Sequence, residues 1–93
     1  MSDPMHDPVV DRLRAEITQT DAEIVAALNR RVSLVAELHA HKRTEGYEVI
    51  DPAREERVLA DVAMGNAGPI SDAGLREVYG LLLPLCTREA AGA

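Results

Sequence analysis

Val9 to Arg43 reads VVDRLRAEITQTDAEIVAALNRRVSLVAELHAHKR, a run without proline or glycine. Val10, Leu13, Ile17, Ile24, Ala27, Leu34 and Leu38 recur at steps of three and four or their multiples, the spacing of one face of an α-helix. The pattern predicts one helix from Val9 to about Arg43. At 1.5 Å per residue it extends roughly 50 Å, more than a compact domain of this size is wide. Such a helix must protrude and pack on something outside its own chain.

Helix punctuation organises the rest of the chain. Residues 1–8 read as a flexible leader, with Asp7-Pro8 as an N-cap and first-turn proline, and residues 9–93 as one helical domain. Thr44 to Glu48 breaks the apolar spacing, and Gly46 suits a turn. Val49-Ile50 is apolar but too short for a strand. Asp51-Pro52 repeats the cap signature and opens a second helix over about 52–64, with Val58, Leu59 and Val62 on one face. Gly65 to Pro69 forms a loop, and Ser71 caps a third helix with an inward stripe of Leu75, Val78, Tyr79, Leu82 and Cys86. Pro84 removes a backbone donor inside that helix and predicts a kink or early fraying. The fold class is all-α, with one very long helix, one short and one medium.

Composition narrows the function. The chain has 93 residues, enough for one core, and is 46% hydrophobic and 28% charged, which is globular. Only 2% is aromatic, so a monomer would bury little surface and oligomerisation is expected. A net charge of −6 disfavours nucleic acid and anionic membrane as partners. One cysteine excludes an internal disulfide framework, no apolar run has membrane-spanning length, and the chain reads as cytoplasmic.

The informative residues are charges on faces that should be buried. Arg31 occupies the seam position between Ile24 and Leu38, beside Leu28, Leu34 and Val35. Lys42 lies about three turns on and projects from nearly the same face. Arg54 and Glu55 precede Val58 and Leu59 by three or four residues, on the inward side of the second helix, whereas Glu56, Arg57 and Asp61 point away. Taken singly, Arg31 and Glu55 read as a structural ion pair, or Arg31 as a snorkelling side chain. Taken together, three cations face one carboxylate, and unmatched buried cations are costly unless an anion completes the site. A small ligand with more than one carboxylate would do so, and arginine suits bidentate binding of carboxylate.

Other residues carry less. His39 and His41 flank the end of the long helix without further ligands at metal spacing, and His41, on the seam by register, reads as a polar residue at the core edge. Cys86 reads as a small buried hydrophobe, Tyr79 as core and Ser71 as a cap. The sequence holds no phosphate-binding glycine loop and no nucleophile elbow.

These residues, in this order, resemble the all-helical class of chorismate mutases. The likeness runs through Leu13-Arg14-Ala15-Glu16-Ile17, Asp21-Ala22-Glu23-Ile24, Leu28-Asn29-Arg30-Arg31, Lys42 and Val49-Ile50-Asp51-Pro52-Ala53-Arg54-Glu55 to Asn66-Ala67-Gly68-Pro69-Ile70-Ser71. The resemblance implies a three-helix subunit in an intertwined homodimer whose long helices pack together. It implies two sites, each with Arg31, Lys42, Asp51, Arg54 and Glu55 from one chain and Arg14 from the other. Geometry supports the division: Arg14 and Arg31 lie about 25 Å apart along one straight helix, too far to hold one small molecule, and an antiparallel partner removes the problem.

The implied reaction rearranges chorismate to prephenate and needs no cofactor, nucleophile or proton transfer. The enzyme holds the dianion in its reactive shape and stabilises charge developing on the ether oxygen. Arg14, Arg31 and Arg54 would clamp carboxylates, Lys42 would face a carboxylate and the ether oxygen, and Glu55 would accept from the ring hydroxyl. The Asp51 segment would fix the surrounding loop. In the third helix, where many members carry Ser and then Gln one turn later, this chain has Cys86 and Ala90. A register change at Pro84 would bring in Glu89, which could donate only when protonated. Some related mutases depend on a partner synthase of the aromatic pathway, and an activating synthase is therefore an expected partner. Two alternatives stay open: an aminodeoxychorismate mutase or isochorismate pyruvate lyase on the same scaffold, and a non-catalytic dimerisation or regulatory module.

Overall fold

A computed structural model describes residues 6–92. Three helices follow one another: α1 (Pro8–Glu45), α2 (Pro52–Met64) and α3 (Asp72–Ala91), with no strand among the described residues. Each begins where cap chemistry places it. Asp7 Oδ1 accepts from the Val9 N–H at 2.8 Å, Asp51 Oδ1 from the Arg54 N–H at 3.1 Å, and Ser71 Oγ from the Gly74 N–H at 3.0 Å. Of the expected leader, Pro8 opens α1, His6 and Asp7 precede it, and residues 1–5 lie outside the described residues.

Gly46, at φ 73°, ends α1 in the left-handed region that glycine adopts without strain. Between α2 and α3, Asn66 ties the loop together. Its Nδ2 donates to the Ile70 carbonyl at 2.8 Å and to Asp72 Oδ1 at 2.9 Å, while its Oδ1 accepts from the Gly68 N–H at 3.0 Å. α3 continues through Pro84 to Ala91, so the early fraying expected there does not occur.

The chain divides into two compact units, Met1–Arg31 and Val32–Ala93, with the boundary inside α1. In the first, every residue from Asp11 to Arg30 is exposed, including Leu13, Ile17, Ile24 and Leu28. The apolar stripe of α1 is thus left uncovered within a single chain.

In the second unit, α2 packs on α3. α2 half-buries Val58, Leu59, Val62 and Ala63. α3 buries Leu83, Cys86 and Ala90 and half-buries Leu75, Tyr79 and Leu82. Val78 departs from the expected inward stripe and stays 50% exposed, because the buried line runs through Leu75, Tyr79 and Leu82 to Leu83 and Cys86. On the last turns of α1 the covered line is Val32, Val35, Ala36, His39 and Lys42, while Leu34 and Leu38 remain exposed. The end of α1 therefore carries two apolar stripes, one turned to its own chain and one left open.

Candidate active site

Lys42 sits in the last turn of α1, half-buried, and its Nζ donates to the Val49 carbonyl at 3.4 Å. That contact joins the end of α1 to the segment leading into α2. Asp51 then sets the start of α2 with both its side chain and its backbone. Its carbonyl accepts from the N–H groups of Arg54 and Glu55 at 3.1 and 3.2 Å. Arg57 lies 3.8 Å from Asp51 Oδ2, an exposed pair that adds little stability. The cap fixes the first turn of α2, which presents Arg54 and Glu55.

Arg54 and Glu55 are exposed, contrary to the inward placement expected from their spacing to Val58 and Leu59. They occupy the first turn, ahead of the half-buried positions that begin at Val58. Neither side chain has an ion pair or hydrogen bond among the described residues. Arg31 is half-buried and Arg14 exposed, and their guanidinium groups are likewise without partners among the described residues. Arg31 and Glu55 therefore each lack a structural ion pair among the described residues. Each of these cations can therefore take an anion from outside the chain.

On α3, Cys86 is 1% exposed and Ala90 is buried, whereas Glu89 is exposed. The helical register therefore passes through Pro84 unchanged, and Ala90 rather than Glu89 holds the inward position. His41 does not take the core-edge place expected of it. His41 is exposed and stands edge-on to Tyr47 with centroids 6.5 Å apart, while His39 is buried. His39 is the residue that sequence reasoning undervalued; its spacing from Val32, Val35 and Lys42 was the available signal. Among the described residues no acidic, cysteine and histidine group could hold a metal ion, and no helix is long and apolar enough to cross a membrane.

An all-helical chain with unpaired arginines and a half-buried lysine among its described residues has side-chain charge suited to a small anion. The sequence profile described as chorismate mutase type II matches residues 13–90, and the chain belongs to that family. It is accordingly an isomerase that converts chorismate to prephenate. Among solved structures, it is similar to chorismate mutase form II from Thermus thermophilus, with 28% identity and a TM-score of 0.82 over 88% of this chain and 93% of that one. Form I from the same organism gives 30% identity and a TM-score of 0.79 over 83% and 96%. A search of the curated proteins found no match.

Proposed function

We propose that the chain works as a homodimer with two shared sites, each closed by Arg14 of one chain over Arg31, Lys42, Asp51, Arg54 and Glu55 of the other. The observation that carries this reading is the absence of internal partners for Arg14, Arg31, Arg54 and Glu55 among the described residues. The three arginines would hold the two carboxylates of chorismate in the folded conformer. Lys42, steadied by the Val49 carbonyl, would face the ether oxygen. Glu55 would accept from the ring hydroxyl, and Asp51 would hold the turn that presents Arg54 and Glu55. During the reaction one carbon–oxygen bond breaks as one carbon–carbon bond forms, so no proton or co-reactant is exchanged. The protein's contribution is conformational restriction and stabilisation of charge.

Cys86 lines the same side of α3 in this reading. Glu89 enters it on the least ground, since Ala90 holds the buried position. A cytoplasmic setting, as is usual for the family, and an activating synthase of the aromatic pathway complete the proposal. Purified protein mixed with chorismate should consume it and yield prephenate. Failure to consume chorismate, with turnover of its amino or iso analogue instead, would assign the site to a sister reaction. No turnover of any of the three would leave a dimerisation module.

A further inference from the structure

His39 is the only buried polar residue among the described ones, at 9% exposure. Its ring makes no hydrogen bond, ion pair or ring contact with any described residue. Yet no fully buried side-chain nitrogen among the described residues lacks a partner, so both His39 nitrogens must reach accessible surface. The body of the imidazole is covered while its polar edge stays open. An open polar edge on an otherwise covered ring can make a hydrogen bond outside the chain, which an apolar side chain of similar size could not. The arrangement makes physical sense when something from outside the chain accepts the hydrogen bond.

The neighbourhood says what that would be. His39 and Lys42 are three residues apart on the covered stripe of α1, so their side chains leave the helix about 5–6 Å apart. Two donors at that spacing can flank one oxygen. The buried residues on the last turns of α3 add little to donation, since Cys86 is a weak donor and Ala90 has none. Imidazole carries at least one N–H in either protonation state, so His39 can donate without a change of charge.

We propose that His39 donates a ring N–H to the bound substrate beside Lys42, as the second donor to the oxygen on which charge develops. The inference rests on the reading of the site as a working mutase and adds a catalytic residue to it.

His39→Leu fills similar volume and removes the donor, whereas His39→Gln keeps an N–H. His39→Leu should lower kcat on chorismate by about 100- to 1000-fold, the scale for losing one donor to a developing charge. KM should change little, and the thermal midpoint should not fall. His39→Gln should retain most of kcat. Wild-type kcat in His39→Leu, or equal loss in a folded His39→Gln, overturns the inference.

A second measurement covers misfolding of the variants. In wild-type protein carrying ¹⁵N-labelled histidine, prephenate keeps the relevant oxygen as its keto group. Its addition should shift one imidazole N–H signal and protect it from exchange with water. Unchanged histidine signals at saturating prephenate overturn the inference alone. A wild-type chain that neither converts chorismate nor binds prephenate overturns the functional reading and this inference together.

Discussion

Asp51 acts on the start of α2 through both its side chain and its backbone. Its carboxylate caps α2 at the Arg54 N–H, and its carbonyl accepts from Arg54 and Glu55. Removing the carboxylate frees the first turn, where both of those side chains originate. Asp51→Ala should therefore cost about 1 kcal/mol of stability, the usual value of an N-cap. The larger effect should be on kcat/KM, as Arg54 and Glu55 lose their fixed origin; thermal melts beside steady-state rates on chorismate separate the two. Asp51→Asn, which still caps, should recover the melt. Glu89 makes the opposite case. It is exposed while Ala90 faces inward, so Glu89→Gln should change kcat by less than about twofold. A large change in rate would show that the carboxyl reaches the substrate.

The helices follow from cap chemistry and apolar spacing, but depth does not. Ile24 is 51% exposed in the middle of α1, on the stripe that includes Leu13, Ile17, Leu28, Leu34 and Leu38. A helix of 38 residues with that stripe uncovered is stable when a partner covers it. Ile24→Glu should dissociate the dimer and unfold the chain in one transition, read by sedimentation and circular dichroism at micromolar concentration. A folded monomer would contradict the proposed assembly. Asp7, Asp51 and Ser71 made the helix starts legible, because capping is local and depends on a few adjacent residues. Arg54 and Glu55 were placed on the right helix but at the wrong depth, since periodicity gives direction and not cover. His39 was hidden for a related reason. The long seam through Leu34 and Leu38 dominates the pattern, and the shorter stripe of Val32, Val35, Ala36 and His39 overlaps its last turns. Only tertiary packing tells which of two overlapping stripes a chain turns to itself.

At the scale of the whole molecule, the proposal that two chains build each site can be tested without knowing the assembly's structure. Arg14 and Arg31 lie on one helix, seventeen residues apart, and both lack internal partners among the described residues. If each site takes Arg31 from one chain and Arg14 from the other, a homodimer of either alanine variant has two damaged sites. Arg31→Ala and Arg14→Ala should each lose at least about 100-fold in kcat/KM, as expected when a substrate carboxylate loses its charge-assisted hydrogen bonds. Mixing them under exchange conditions produces heterodimers in which one site lacks both arginines and the other lacks neither. At equal concentrations and random pairing, half the dimers are mixed, and each has one intact site. The mixture should therefore recover about one quarter of wild-type activity per site. Recovery must rise with the same time course as heterodimer formation, followed by mass spectrometry of differently tagged chains. If heterodimers form and activity does not return, both arginines serve the same site from one chain or neither binds substrate. If Arg14→Ala alone remains fully active, the second chain contributes no charge to the site, and dimerisation serves only to cover the open stripe of α1.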